Sequence, residues 1–374
     1  MSPRLHRSPL AFRFALSVLL LVGGCGTHTT GPKNAANVPR TYRMGFSDFP
    51  PRPTDSAVAA AVSMWIPRAD AAILQEEPPW TALLAGASPD SLVTANELPV
   101  VNYYRSHGLV VVFETDVTNG INRSAEAPAL DSAGRSIAEP SVQLLYRQWV
   151  QALVAITHPD YLGLASETNL IRAAAAPAVY GGVVQMTNAA AGDLAAGGSH
   201  PPLYVSVQVE TAWGRLAMTD TGYIGVARDL TDFPFIQLLG LSSYPYLGQW
   251  TDPATIPLDY FARLVQGVAG RTPPPVLVTE GGWASASAGT FTSTPALQAR
   301  WIAHESALLD SARAVAWFQL DFTDIDLAAY GLTGGTQDDA TIALFATIGL
   351  VDTNLNPKPA LAVWDSTFHR RYAP

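Results

Sequence analysis

Eight short runs of strand-forming residues, separated by segments with helical spacing, limit what this chain can fold into more than any other feature. The runs are rich in apolar and β-branched side chains and span residues 42–48, 69–76, 108–116, 161–167, 203–210, 235–244, 276–280 and 314–321. Continuous apolar runs suit strands that are covered on both faces, as in parallel sheets. The sequence therefore predicts an α/β fold built on a parallel sheet.

The segments between the runs carry apolar residues at helical spacing. One such face, ahead of the fourth run, is formed by Val142, Leu145, Trp149 and Leu153. Eight strand–helix alternations over roughly 280 residues predict a single-domain (β/α)8 TIM barrel. The alternative is a doubly wound open sheet, which normally carries a phosphate-binding loop, but neither G-x-G-x-x-G nor a Walker pattern follows any run.

The N-terminus has the features of an export signal. Arg4, Arg7 and Arg13 precede an apolar run at residues 14–22 that is too short to cross a bilayer. Basic residues followed by a short apolar run are typical of a secretory signal. We therefore predict a signal peptide over residues 1–24.

The stretch LVGGC, which ends at Cys25, resembles the lipobox of bacterial lipoproteins. This resemblance implies that Cys25 is lipidated and begins the mature chain. Residues 25–40 then comprise the lipidated cysteine and a flexible tether rich in Thr, Gly, Pro and Asn, and residues 41–374 form the folded domain. We expect an extracytoplasmic protein attached to the membrane through its lipid only, or secreted if Cys25 is not lipidated.

The net charge excludes one large class of partners. Removal of residues 1–24 takes away three arginines and no acids, so that 22 − 3 basic residues face 31 acidic ones and the net charge is −12. A protein that binds phosphate backbones needs a basic patch, and no extended Lys/Arg cluster follows Arg52. We expect no nucleic-acid partner and a neutral or cationic substrate.

Acidic residues recur at the carboxyl ends of the predicted strands, although only 14% of the chain is charged. In a TIM barrel these ends form one face, which carries the active site. The acids, with the other polar residues that accompany them, are Asp48, Glu76, Glu77, Glu114, Asp116, Glu167, Asn169, Gln208, Glu210, Tyr244, Glu280 and Asp321. This placement predicts a polar site at one end of the barrel.

Tryptophans accompany these acids. Trp80, Trp213, Trp250 and Trp283 follow predicted strands, and Trp317 lies on the last one. A tryptophan in any one of these places is also explained by ordinary packing, because its side chain is heavily buried on average. Several flat apolar faces beside carboxylates, however, suit a sugar ring, whose C–H face stacks on an aromatic side chain.

Two of the acids lie where one enzyme superfamily has its catalytic pair. Glu167, in YLGLASETN, ends the fourth strand, and Glu280, in PVLVTEGGW, ends the seventh. The chain thus resembles the clan A (β/α)8 glycoside hydrolases, and the resemblance implies that Glu167 is the general acid/base and Glu280 the nucleophile. The segment RMGFSDFPPRP and the TEGGW strand resemble bacterial relatives of the family 53 endo-galactanases or nearby endo-glycanases. The NPKPA segment resembles the closing segment of many clan A enzymes.

The resemblance implies a retaining hydrolase, acting as a monomer on a β-linked poly- or oligosaccharide without a cofactor. The general acid should have a raised pKa and the nucleophile should be ionised. Tyr244 resembles the aromatic residue that donates to the nucleophile. We expect the sugar to contact Glu76, Asp116, Ser166, Asn169, Gln208, Glu210, Trp213, Tyr244, Trp283 and Trp317.

The chain departs from the clan pattern at one place. Ser166 occupies the position before the fourth-strand glutamate, where the clan usually has Asn, and Asn169 is available to substitute from the following turn. This departure leaves open a non-catalytic carbohydrate-binding lipoprotein on the same scaffold. No metal site is expected, because the sequence contains no H-E-x-x-H motif and its one cysteine lies at the predicted cleavage site.

Overall fold

Eight parallel strands close into a barrel in the computed structural model, which describes residues 38–47, 49–216, 222–266, 272–332 and 335–374. Each strand pairs with its neighbours in sequence, and the first pairs with the last. The strands are β1 (Arg43–Phe46), β2 (Ala71–Glu76), β3 (Val110–Thr115), β4 (Tyr161–Gly163), β5 (Leu203–Gln208), β6 (Leu238–Ser243), β7 (Val276–Gly281) and β8 (Ala316–Gln319). The predicted (β/α)8 barrel is confirmed, and each apolar run contains one strand.

Helices surround the barrel, and several begin at a proline, whose fixed φ and missing N–H suit the first helical position. Thr294 caps one of them by accepting a hydrogen bond from the N–H of Leu297. The α-helices are α1 (Asp55–Trp65), α2 (Trp80–Leu84), α3 (Pro89–Ser106), α4 (Pro128–Ser132), α5 (Pro140–Thr157), α6 (Thr168–Ala174), α7 (Pro177–Gly197), α8 (Val209–Ala212), α9 (Ala227–Asp232), α10 (Ala262–Val265), α11 (Pro295–Ala312), α12 (Gln337–Phe345) and α13 (Pro359–Phe368).

Apolar side chains fill the barrel below the carboxyl ends of its strands. This inner core consists of Ala71, Ile73, Val112, Tyr204, Leu238, Leu277, Ala316 and Phe318. Tyr204 is fully buried, and its hydroxyl donates to the carbonyl of Phe113 at 3.0 Å. The ring fits because Gly163 faces it from β4, where a Cβ would lie 2.6 Å from the Tyr204 ring. Tyr204 therefore forms a packed floor beneath the polar end of the barrel.

Strand β7 carries a bulge that decides where Glu280 points. Leu241 pairs with Val278, but the next residue, Ser242, pairs with Glu280, so that Thr279 is extra. Leu277 faces the barrel interior, and strict alternation from it would turn Glu280 towards the surrounding helices. The extra residue reverses the phase. Glu280 therefore faces inwards beside Ser242.

The N-terminal end of the described chain packs against the barrel. Arg40 is buried and forms a salt bridge with Asp70 at 2.7 Å. Its backbone forms an isolated β-bridge with Tyr372. Arg40 thus belongs to the folded domain and not to the tether that the sequence predicted. The predicted signal peptide and Cys25 lie outside the described residues, as does Asp48. Within the described ranges, no helix has both the length and the apolar character of a membrane span.

Candidate active site

A cavity of about 520 Å³ opens at the carboxyl ends of the strands. Its polar lining is strongly acidic and comprises Gln75, Glu77, Glu114, Asp116, Arg123, Ser166, Glu167, Gln208, Tyr244, Glu280 and Asp321. One wall is apolar and includes Phe49, Leu170, Leu320, Tyr330, Leu332 and Phe345. Apolar walls with a few converging polar groups are typical of a small-molecule site.

Glu167 lies just beyond β4 in a left-handed backbone conformation, with φ 47° and ψ 45°. For a residue with a side chain this conformation costs about 1–2 kcal/mol, and such strain concentrates at functional sites. The Glu167 N–H donates to Ser206 Oγ at 2.9 Å, while Oε2 accepts from Arg123 Nε at 2.9 Å. Its Oε1 lies 2.6 Å from Ser242 Oγ. The carboxylate is therefore fixed at both oxygens.

The residues that follow Glu167 hold the start of α6 in place. The Asn169 amide donates to the carbonyl of Gln208 and accepts from its N–H, each at 2.8 Å. Thr168 donates to Asp229, which is buried and paired with Arg172. Asn169 is not part of the cavity lining, and both ends of its amide bond to the β5 backbone.

Glu280 lies at the end of β7 and faces the cavity. Its Oε2 accepts from Gln75 Nε2 at 2.9 Å, and its Oε1 lies 2.6 Å from Ser242 Oγ. Gly281 follows, where a Cβ would lie 2.9 Å from the Ser243 carbonyl. The glycine therefore allows the close strand contact that positions Glu280.

The two glutamates are close enough to act on one bond. Because each Oε1 lies 2.6 Å from the same Ser242 Oγ, the two Oε1 atoms are at most about 5.2 Å apart. In retaining glycosidases the carboxyl groups lie about 5–5.5 Å apart, whereas inverting enzymes separate them by about 6.5–9.5 Å. The upper limit for these two oxygens is shorter than the separation in inverting enzymes.

Burial, together with the negative charges of Glu167 and Glu114, raises the pKa of Glu280 to about 8, against the hydrogen bond with Ser242 and the charge of Arg123, which lower it. Glu280 therefore carries a proton at neutral pH, which differs from the ionised nucleophile that the sequence predicted. The reason is that the hydrogen-bond partners of Glu280 are one hydroxyl and one neutral amide, while Arg123 is bonded to Glu167.

Arg123 lies in the loop after β3 and joins three groups of the site. It forms salt bridges with Asp116 and Glu167, and its Nη2 donates to Ser166 Oγ at 3.2 Å. Ser166, which replaces the usual Asn, therefore contributes to holding this cation. Sequence reasoning missed Arg123, and the one available signal is an arginine in an Asn- and Gly-containing loop of a chain with few cations.

Glu114 lies next to the pair on β3. Ser206 Oγ donates to its Oε1 at 2.6 Å, whereas its Oε2 is buried without a hydrogen-bond partner. Burial raises the pKa of Glu114 to about 7, against several hydroxyl donors that lower it. With this pKa, Glu114 is only partly ionised at neutral pH, so it adds a hydrogen-bonding group near the pair and only part of a negative charge.

Four of the ten predicted sugar-contacting residues line the cavity, namely Asp116, Ser166, Gln208 and Tyr244. Tyr244 is not among the hydrogen-bond partners of Glu280, which are Ser242 and Gln75. Glu210 is fully buried and accepts from Ser243, Tyr260 and the Tyr244 N–H. Its role is to hold the β5 and β6 ends together. Glu76 is not part of the lining, which contains its neighbours Gln75 and Glu77.

The three tryptophans predicted to contact the sugar lie outside the cavity lining, and two of them are fully buried. Trp317 is fully buried against Tyr42 and Trp364 on the helix-facing side of β8, because Ala316 and Phe318 take the inward positions. Trp283 is also fully buried, and it packs on Trp301 and donates to Ser293 at 3.0 Å. Trp213 stacks on Tyr260, outside the cavity lining.

Other aromatic side chains take the place of these tryptophans. Phe49 and Tyr330 stack with their ring centroids 5.4 Å apart, and Phe345 contacts Tyr244 edge to face at 4.8 Å. All four line the cavity. Three of them come from the loops after β1, β6 and β8 and Phe345 ends α12, so the apolar wall is built at the rim of the barrel.

No protein-family model and no curated protein matches the chain. Solved structures match its fold. An exo-β-1,4-mannosidase from Opitutaceae bacterium strain TAV5 has a TM-score of 0.61 at 14% identity, over 91% of this chain and 62% of the mannosidase. The GH53 catalytic domain of Ignisphaera aggregans has a TM-score of 0.57 at 15% identity, over 89% and 92%.

Xylanase 10B from Thermotoga maritima gives a TM-score of 0.55 at 13% identity, over 88% of this chain and 95% of the xylanase. The chain spans only half the length of two β-glucuronidases that it also matches. The fold is therefore that of (β/α)8 glycoside hydrolases, as the sequence resemblance implied. Identity at this level establishes the fold alone.

Proposed function

We propose that the protein is a retaining glycoside hydrolase that acts on a β-linked poly- or oligosaccharide. The observation that supports this function is the contact of both Glu167 and Glu280 with Ser242 Oγ, which limits the separation of their Oε1 atoms to about 5.2 Å. The similar structures named exo-β-1,4-mannosidase and β-glucuronidase act on β-linked sugars, which favours the same linkage class here.

In the first step, Glu280 attacks the anomeric carbon, and the glycosidic C–O bond breaks as Glu167 gives its proton to the leaving oxygen. The product is a glycosyl ester on Glu280. In the second step, Glu167 takes a proton from water, whose oxygen attacks the same carbon and releases Glu280. Two inversions leave the anomeric configuration unchanged.

A second candidate function is carbohydrate binding without turnover. The observation that favours it is the salt bridge between Arg123 and Glu167, because a fixed cation stabilises the charged form of the residue that must donate a proton. The acidic cavity and its apolar wall would still bind a sugar.

The experiment that separates these functions is a screen of the purified full chain against β-mannans, β-xylans, β-galactans and β-glucans. Proton NMR of the first-formed product then reports its anomeric configuration, and the retaining mechanism requires the β anomer.

Glu280→Gln should lower turnover by several orders of magnitude at unchanged folding. Glu167→Ala should spare activated aryl glycosides, whose leaving groups need no proton. Binding without turnover by the parent would support the second function.

We further propose that Cys25 is lipidated after removal of residues 1–24 and that the domain is a membrane-anchored, extracytoplasmic monomer. The lipobox-like LVGGC stretch supports this proposal. Cys25→Ser should move the protein from the membrane fraction to the soluble fraction, because a single anchor would be lost. Membrane association that persists in the variant would contradict the lipid anchor.

A further inference from the structure

Ser242 occupies the only position that touches both glutamates among the described residues. It is fully buried on β6, and the bulge in β7 aligns it with Glu280. Its Oγ lies 2.6 Å from Oε1 of Glu167 and 2.6 Å from Oε1 of Glu280. Both distances fall in the short range of hydrogen bonds in which one oxygen is charged.

A hydroxyl group carries one hydrogen and can donate only once. Ser242 therefore donates to one carboxyl group and must accept from the other, which has to be protonated. The remaining oxygens are already matched with N–H donors, since Glu167 Oε2 accepts from Arg123 and Glu280 Oε2 accepts from Gln75. The count leaves a single proton for the pair, on an Oε1 that faces Ser242.

The surrounding charges decide which glutamate holds this proton in the ligand-free protein. Arg123 is bonded directly to Glu167 and stabilises its negative charge, whereas the partner on the far side of Glu280 is the neutral Gln75. Burial and neighbouring acids raise the pKa of Glu280 to about 8. The proton thus rests on Glu280. The charged and titratable groups that act on the pair are Glu114, Asp116, Arg123, Tyr244 and Asp321.

We propose that the Ser242 hydroxyl makes Glu167 and Glu280 share one proton, and that it turns to donate to whichever of the two carboxylates is charged. In one arrangement the Glu280 O–H donates to Ser242 Oγ, and the Ser242 O–H donates to Glu167. If Glu280 gives its proton to Oγ while Oγ gives its own to Glu167, two O–H bonds break and two form, and the total charge stays the same. Ser242 is then a positioning residue that serves both arrangements equally.

This exchange delivers the state that the proposed double displacement needs, and its use in catalysis rests on that proposed function. The proton arrives on Glu167 Oε1, which is the oxygen not bonded to Arg123 and hence the one that can be offered to a glycosidic oxygen. Glu280 becomes an ionised nucleophile at the same moment. After the leaving group has taken the proton, Ser242 can donate to the charged Glu167 again.

Sharing one proton should separate the two titration steps of the pair, because a bridging hydrogen bond stabilises the state with one proton against loss or gain of another. The test uses the full chain labelled with ¹³C at the glutamate side-chain carboxyl carbons, titrated by NMR. The resonances of the pair are assigned by their absence in Glu167→Gln and Glu280→Gln. At neutral pH one of the two should have the shift of a carboxylic acid and the other that of a carboxylate.

Ser242→Ala should bring the two titration steps closer by about one pH unit, the size expected for a lost charge-assisted hydrogen bond. Ser242→Thr, which keeps the hydroxyl, should restore the separation. The matched control is Ser243→Ala, which removes the neighbouring buried hydroxyl that bonds to Glu210 at 3.0 Å and should leave the separation unchanged. An unchanged separation in Ser242→Ala would overturn the proposal, as would two ionised carboxylates at neutral pH in the parent.

An activity measurement provides a second readout. On a substrate that the parent cleaves, the bell-shaped pH dependence of kcat/KM should narrow in Ser242→Ala and recover its width in Ser242→Thr. Because the NMR titration needs no turnover, failure of the proposed hydrolase function and failure of proton sharing give different results. An inactive parent with two separated titration steps would contradict only the first.

Discussion

Arg123 Nε lies 2.9 Å from Glu167 Oε2 in a setting where the two side chains are 5% and 9% exposed. A cation so buried is stable only because two carboxylates neutralise it, the second being Asp116. The same contact orients Glu167 and sets the charge of the site.

Arg123→Leu should lower the free energy of unfolding by about 3–5 kcal/mol at pH 7, because it removes the cation that pairs with the buried Glu167 and with the partly exposed Asp116. Urea unfolding at pH 7 measures the effect. Arg147→Leu is the control, since its ion pair with Asp193 lies at the surface and contributes about 1 kcal/mol or less. Equal losses of unfolding free energy in the two variants would show that the buried ion pair of Arg123 stabilises the fold no more than a surface ion pair does.

Stability should fall as the pH rises from about 4.5 to about 8. The pKa of Glu114 is about 7 in the folded protein, against an ordinary value of 4.5. Between these values the folded state binds more protons than the unfolded state, so the free energy of unfolding decreases with increasing pH. Glu280 and Glu210, with raised pKa values of about 8 and 7, act in the same direction.

Glu114→Gln should therefore reduce the loss of stability between pH 5 and pH 8, because the variant has no proton to release at that position. Thermal unfolding across this range measures the slope. Glu139→Gln, at a surface position paired with Arg135, should leave the slope as it is in the parent. A parent that becomes more stable as the pH rises over this interval would contradict the assignment of buried, protonated acids.

Gly163→Ala should destabilise the barrel by about 1–3 kcal/mol, because the new Cβ would overlap the buried Tyr204 ring. Gly192→Ala provides the contrast. Gly192 lies in α7 with nothing within 4 Å of an added Cβ, so this substitution should stabilise the helix by about 0.5–1 kcal/mol. Melting temperatures that shift in the same direction for both variants would contradict the tight packing of the Tyr204 ring against Gly163.

Phe345→Ala should raise KM several-fold on any cleaved polysaccharide while kcat changes little, because the ring lines the cavity but lies in the rim. The control is Phe235→Ala, a partly buried phenylalanine that packs on Phe233 outside the cavity lining. Steady-state kinetics decides the outcome. A fall in kcat at constant KM would place Phe345 in the chemical step instead of in binding.

The strands could be predicted from the sequence because each buried strand is a continuous apolar run. The two glutamates could be predicted because a carboxylate at the end of such a run is easily recognised. The face on which a residue lies could not be predicted. Trp317 reads as a strand residue, yet its orientation depends on whether Ala316 or Trp317 points inwards, which only the closed barrel fixes.

Ser242 was invisible for a related reason. It is a small hydroxyl in an apolar strand, and its importance comes from the β7 bulge, which is a property of two paired strands and not of either sequence alone. Arg123 lies 44 residues from Glu167 in the chain, and its pairing with that carboxylate depends on how the loop after β3 folds across the barrel end.

The docking of Arg40 beside Asp70 and Tyr372 has a consequence for orientation. These residues precede β1 and β2 or end the chain, so they mark the amino-terminal rim of the barrel, opposite the cavity. A chain held at Cys25, as proposed, would be tethered from the side of the barrel opposite the cavity. The attachment would then leave the cavity entrance free for a long polymer.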